Sequence, residues 1–300
     1  MIAESKKRMD LKNLWVICVL LIGLFLKAQN ANQKHPNILF IITDDQDAET
    51  LDVYGDNSCD TPNIDKLSSE GLTLTSAYHM GSFRAAVCTP SRCMVMTGRN
   101  VWETQNLNVN YPPLDYIHKT EKNYAKITPE DPSYNSLPAL FKRAGYYAFR
   151  TCKRGNSYEG ANVLFEERYD KTNRDADDEN GSQWHSDKVI DYLDRRIAQP
   201  TGQPFLIYLG FSHPHDPRRG KPALLKKYGA INPGPPMTVS LKTPKLPINY
   251  LPAHPFEEGH PDLRDENSVE GVMTKRDEAT VRNESCLLYT SPSPRDFEAS

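Results

Sequence analysis

Two continuous apolar runs stand out in an otherwise polar chain. Residues 37–42, NILFII, lie between Pro36 and the polar Thr43, Asp44 and Asp45, and residues 204–211, PFLIYLGF, form the second. Short runs without apolar–polar alternation predict strands buried on both faces, as in a parallel sheet. Between them LPALFKRA, residues 137–144, has helical spacing and stops at Gly145, and YYAFRTC, residues 146–152, follows as a strand. Residues 187–198 read as an amphipathic helix leading into the second apolar run. Strands alternating with helices predict an α/β fold with a mostly parallel central sheet flanked by helices.

The pattern fails in three places. Residues 233–261 hold eight prolines and no periodic apolar positions, which predicts a long irregular loop. At the N-terminus Lys6, Lys7, Arg8 and Lys12 precede an apolar run over residues 14–26, followed by Lys27, Ala28 and Gln29. This is the layout of a secretory signal over residues 1–28, and the run is short for a membrane span. An uncleaved anchor is the alternative reading, and both place the body of the protein in the periplasm or outside the cell. The last residues, 285–300, share no pattern with the rest, and CLLYTSPSPRD resembles translated sequencing-adapter sequence. They are read as a non-native tail, so residues 29–284 carry the fold.

Composition narrows the function. A hydrophobic content of 38% supports a packed core, and 36 basic against 39 acidic residues, a net charge of −3, gives no global field for nucleic acid. Anion specificity has to be local. Of six cysteines, Cys18 lies in the signal and Cys286 in the tail; Cys59, Cys88, Cys93 and Cys152 are unevenly spaced, which suits neither a disulfide framework nor a zinc site.

In an open α/β sheet, ligands sit beyond the carboxyl ends of the strands. Asp44 and Asp45 end the first predicted strand, Lys153 follows the YYAFRTC strand, and His213 and His215 follow the second apolar run in SHPHDP. Each group has an ordinary alternative: paired aspartates can solvate a turn, and a loop lysine or histidine can be a surface group. Adjacent carboxylates also suit a hard divalent cation. In VCTPSRCMVMTGRN, residues 87–100, Pro90 and Ser91 fit a helix start and Cys88 a small buried hydrophobe. That spacing alone leaves a structural and a chemical role for Cys88 equally open.

Taken together, IITDDQ, then CTPSR about forty residues later with TGR behind it, then GYYAFRTCK and SHPHDP, resemble the formylglycine-dependent sulfatases of the alkaline phosphatase superfamily. Order and rough spacing agree over residues 36–284. The last element expected from the resemblance, a strand ending in Asp followed by Asn or His and Gly, is absent. The resemblance therefore implies a catalytic domain incomplete at its C-terminus, a fragment expected to be inactive alone and to leave a sheet edge uncovered.

The resemblance also implies roles. Cys88 would be oxidised to formylglycine by a separate maturation enzyme, and the hydrated aldehyde would attack sulfur with one hydroxyl and expel sulfate with the other. Arg92 would hold that diol, Asp44 and Asp45 together with residue 88 would bind Ca2+ or Mg2+, Lys153 would neutralise sulfate charge, and His215 would protonate the leaving group. His213 and Asn156 are the remaining candidates for substrate contact. Where the family often places a histidine two residues after the lysine, this chain has Gly155. The implied activity is hydrolysis of a sulfuric ester on a sulfated carbohydrate by an exported enzyme. A phosphonate or phosphate ester hydrolase of the same superfamily and a non-catalytic sulfated-glycan-binding protein are the competing readings.

Overall fold

The structure is a computed structural model. It describes residues 35–55, 60–81, 87–104, 129, 131, 133–153, 157–171, 181–215, 221–228, 246 and 278, with backbone only for 49, 224 and 228. Two compact units are present, Met1–Asn37 and Ile38–Ser300. Residues 1–28, read from the sequence as a secretory signal, lie outside the described residues, as do Cys59, Gly155, Asn156, residues 285–300 and all of 233–261 except Leu246.

Four strands form one sheet in the order β1-β4-β2-β3: β1 (Ile38–Asp44), β2 (Tyr147–Cys152), β3 (Glu167–Asp170) and β4 (Phe205–Pro214). Every pairing is parallel. The helices are α1 (Pro62–Glu70), α2 (Cys88–Thr97), α3 (Leu137–Arg143), the single turn α4 (Glu159–Asn162), α5 (Ser182–Ala198) and α6 (Pro222–Tyr228). Short 3-10 turns at Ala48–Thr50 and Asp52–Tyr54 follow β1. No helix among the described residues is long and apolar enough to cross a membrane.

Burial on both faces explains the unbroken apolar runs. On one face Ala148 and Cys152 of β2 and Leu206 and Tyr208 of β4 meet Cys93 and Met96 of α2, with Leu137 and Phe141 of α3 packed against them. On the other, Phe149, Ile207, Leu209 and Phe211 meet Val189 and Tyr192 of α5. Phe40 of β1 stacks on Tyr208 at 5.3 Å between ring centroids, and Phe149 lies 4.7 Å from Tyr192. Strand β1 is covered on the first face only: Leu39 and Ile41, which point the other way, are 50% and 44% exposed. Each such side chain forgoes about 1–2 kcal/mol of burial.

Three boundaries differ from the sequence-based expectation. Helix α5 starts at Ser182 rather than at 187, because Ser182, His185 and Ser186 are buried and extend its packed face beyond the apolar stripe. Helix α2 starts at Cys88, two residues before Pro90, so the proline sits in the first turn, where its missing N–H costs nothing. Strand β4 runs through His213 into Pro214 instead of ending at Phe211, so His213 is a strand residue. Strand β3, ERYD, was not predicted: it has no apolar run and pairs with β2 only, along Phe149 to Cys152.

Charged groups within the layers are matched. Arg150, fully buried, pairs with Asp170; Arg168 pairs with Asp170 and, at 2.5 Å, with Glu159. His185 shares a 2.7 Å hydrogen bond with Thr151 through Nδ1. Burial pulls its pKa down to about 3, a backbone hydrogen bond at Lys171 opposes this, and the charges of Arg150, His213 and Lys171 reinforce it. His185 is therefore neutral when folded, while the unfolded chain takes up its proton below about pH 6.5. The stability that this neutral histidine contributes is complete above that pH and is lost as pH falls toward 3. In urea denaturation between pH 6 and 4, stability should fall about 1 kcal/mol per pH unit more steeply in wild type than in His185→Gln. Parallel pH profiles for the two proteins would contradict the assignment.

Candidate active site

The carboxyl edge of the sheet gathers the chemistry. A register shift between Ile42 and Asp44 sets Asp44 opposite Pro214 on β4, between the two histidines of SHPHDP. The next residue, Asp45, takes a left-handed backbone with φ 59°, a conformation aspartate tolerates better than most side chains, and the chain turns there. Strand β2 delivers Cys152 and then Lys153 at the same edge.

Helix α2 answers the question of spacing. Cys88 is its first residue and Arg92 lies four positions on, so both project from one helical face a turn apart. The Ser91 N–H donates to the Val87 carbonyl at 2.9 Å, closing the first turn around Pro90. Met96, another turn along, is fully buried and anchors that face in the core. Gly98, with φ 64°, ends the helix.

At the centre is Asp44, 3% exposed. Lys153 donates to its Oδ2, and Arg92 Nη2 lies 3.1 Å from Oδ1, a charge contact without hydrogen-bond alignment. Burial pushes the Asp44 carboxyl up, but Arg92, Lys153 and His215 together outweigh this and hold it below the usual carboxylate range. It is ionised at neutral pH. Arg92 Nη1 donates to Cys152 Sγ at 3.3 Å. Gly210, opposite Cys152 on β4, leaves room for that sulfur, which any added Cβ would strike. Around Asp45, the Cys88 thiol donates to Oδ1 at 3.8 Å and His215 Nε2 lies 3.5 Å from Oδ2. His213, also buried, shares a 3.0 Å hydrogen bond with Ser182 Oγ at the start of α5.

Cys88, Arg92, Lys153, His215, Asp44 and Asp45 thus converge. His213 belongs to the same edge but is turned toward α5. Sequence reasoning missed Cys152 as a partner of Arg92, and Ser182 as a partner of His213. An apolar strand that ends in Cys-Lys carried no sign of which helix would reach it. Cys88, Cys93 and Cys152 are all free thiols. Burial pushes the Cys93 thiol up to about 12, so it stays protonated and serves as core packing.

A cation is tested by the donor set. One ligand atom each from Asp44, Cys88 and His215 lies within 4.8 Å of the others. Carboxylate, thiol and imidazole form a mixed set, softer than calcium or magnesium prefers. Replacing sulfur at residue 88 by oxygen would harden it, and Asp45 adds further oxygens beside Cys88. The residues therefore fit a hard cation with an oxidised side chain at 88 better than with the thiol.

The carboxyl edge of a parallel α/β sheet thus joins two carboxylates, a guanidinium, an ammonium group, a helix-borne cysteine and a histidine, a set suited to holding an anion. The sulfatase family model matches residues 36–236, two thirds of the sequence, and the chain belongs to that family. It is 42% identical to arylsulfatase D of Homo sapiens over 98 residues, 33% of this chain and 16% of that protein. N-acetylgalactosamine-6-sulfatase of Canis lupus familiaris is 32% identical over 138 residues, 44% of this chain and 24% of that protein. A sulfatase structure from Bacteroides fragilis superposes with a TM-score of 0.53 at 17% identity, over 86% of this chain and 56% of that one. The chain spans less than half the length of these curated relatives.

Removing Asp44 would leave Arg92 and Lys153 buried without their shared counter-charge. Asp44→Ala is expected to cost about 3–5 kcal/mol in urea denaturation, and a second change, Lys153→Met, should restore part of that loss. Additive losses in the double variant would show that the triad does not act as a unit.

Proposed function

We propose that the protein is an exported hydrolase that removes sulfate from a sulfated carbohydrate. The observation that carries this reading is the pairing of Asp44 with both Arg92 and Lys153, one helical turn from Cys88 and beside Asp45 and His215. Two cations and two carboxylates balance at this edge, and a divalent cation bound there would make the cleft electropositive and suited to a sulfate group. The match to an N-acetylgalactosamine-6-sulfatase over part of the chain supports a sugar as the ester's alcohol. Export to the periplasm or beyond rests on the N-terminal pattern alone.

Residue roles follow from position. Oxidised by a maturation enzyme to formylglycine, residue 88 supplies a hydrated aldehyde whose two hydroxyls serve attack and release. A Ca2+ or Mg2+ ion held by Asp44, Asp45 and residue 88 supplies Lewis acidity toward the sulfate. Arg92, fixed between Asp44 and Cys152, orients the side chain at 88, one turn away on its own helix. Lys153 faces the sulfate charge, and the Asp44 contact holds it in place. Asp45 accepts a hydrogen bond from residue 88 and lies against His215 Nε2, which orients that ring toward the same atoms. His213 braces the edge through Ser182. Asn156 is proposed as a substrate contact on sequence grounds.

Two experiments test this reading in protein co-expressed with a maturation enzyme. Cys88→Ala should reduce aryl sulfate turnover to background while changing folding stability by about 1 kcal/mol at most. Retained turnover would refute the covalent route. His215→Ala should slow hydrolysis of a sugar sulfate by about 10²-fold or more, but an aryl sulfate with a good leaving group far less. Equal losses on the two substrates would remove His215 from the acid role.

A further inference from the structure

The proposed chemistry needs an oxygen donor at residue 88, yet the chain is made with a thiol there. That thiol stands among donors of its own. Asp44 at the end of β1, Cys88 at the head of α2 and His215 just after β4 are 3%, 6% and 6% exposed, and one ligand atom from each lies within 4.8 Å of the others. Donor atoms around one zinc ion, each bound at about 2.0–2.3 Å, are about 3–4 Å apart, so these side chains need to shift by only about an ångström to share it.

The existing contacts of these groups leave coordination open. An ionised carboxylate has about four lone-pair sites. Lys153 takes one on Oδ2 of Asp44, while Arg92 Nη2, 3.1 Å from Oδ1, is not aligned for a hydrogen bond and leaves lone pairs on that oxygen. The Cys88 thiol donates to Asp45 Oδ1 over a long 3.8 Å, and loss of that proton gives the thiolate that a metal requires. Asp45 Oδ2 lies 3.5 Å from His215 Nε2, so one carboxylate stands beside both of the other donors, placed to brace the imidazole or to add an oxygen. Thiolate with imidazole is a donor pair that zinc takes and that calcium and magnesium do not favour. With Cys88 ionised, three negative groups face Arg92 and Lys153, an excess of negative charge that draws a divalent cation.

We propose that the unoxidised chain binds a thiophilic divalent cation of the zinc type through Asp44, Cys88 and His215, and that conversion of Cys88 to formylglycine exchanges this preference for a hard cation. The zinc site rests on geometry and donor chemistry; the exchange rests on the proposed maturation of Cys88. The two metal states exclude each other. In the soft state His215 is occupied as a ligand and cannot protonate a leaving group, and the Cys88 sulfur is covered by the ion. A molecule that escapes maturation is thereby capped at the residue that would otherwise react.

The test uses the full chain made without a maturation enzyme, its thiol at residue 88 verified by mass, and calorimetric titration with Zn2+ or Ca2+ alone. Zn2+ is expected to bind at least about 10²-fold more tightly than Ca2+. It should also protect Cys88 from alkylation by iodoacetamide, read by peptide mass. Cys88→Ser should remove the zinc preference, and His215→Ala should weaken Zn2+ binding about tenfold or more with little effect on Ca2+. Zinc that binds equally well to Cys88→Ser resides on another thiol, such as Cys59, and overturns the site, as does a chain that prefers Ca2+. Protein carrying the aldehyde should lose the zinc preference, and its persistence there overturns the exchange. Aryl sulfate turnover by matured protein, joined with no zinc preference in the thiol form, removes this inference and leaves the sulfate ester reading intact. Zinc binding by the thiol form, joined with failure of any aldehyde to form at residue 88, removes that reading and leaves the zinc site standing.

Discussion

The Asp44 carboxylate, buried between Arg92 and Lys153, is the interaction on which the site depends. It joins three elements: β1 contributes the carboxylate, α2 the guanidinium and the residue following β2 the ammonium. Taking three charges out of water costs several kcal/mol for each ion, and their attraction recovers that only when the geometry is fixed. The arrangement is therefore poor as a source of stability and effective as a constraint. If α2 rotated or slid against the sheet, a cation would be left buried without a partner. That constraint passes to Cys88, which has no strong anchor of its own and takes its place from Arg92, one turn along the helix.

The packing beneath the triad serves the same end. Gly210 leaves space on β4 for the Cys152 sulfur, and the sulfur in turn receives Arg92. Each step is short and steric, so the position of the Arg92 guanidinium is set by the absence of one methyl group on a neighbouring strand. The core around Cys93, Met96 and Tyr208 closes the lower side of α2 against the sheet. Hydrophobic burial thus supplies the free energy, while the buried charges select one arrangement among the compact alternatives.

Much of this was legible in the sequence where the signal is local. Two-sided burial made NILFII and PFLIYLGF readable as strands, and the carboxyl-edge rule then gathered Asp44, Asp45, Lys153 and the two histidines without any knowledge of contacts. Cys88 and Arg92 stand four residues apart, a spacing that carries meaning only once a helix is assumed. What stayed hidden depends on partners distant in the chain. Arg150 inside YYAFRTC reads as an oddity until Asp170, twenty residues on, neutralises it. Strand β3 has half-buried polar residues and no periodicity, so it exists only because β2 offers it an edge. His213 reads as a loop residue because the apolar run stops at Phe211, yet the strand continues through it and Ser182 holds its ring.

The charge balance of the edge ties these parts to the chemistry. Asp44 and Asp45 together offset Arg92 and Lys153, so these four groups at the centre sum to about zero charge. A neutral cleft binds an anion weakly, and any added positive charge tips it toward binding. A divalent cation on the carboxylates would do so directly, because the aspartates would share it and the two basic side chains would then face the substrate with less compensation.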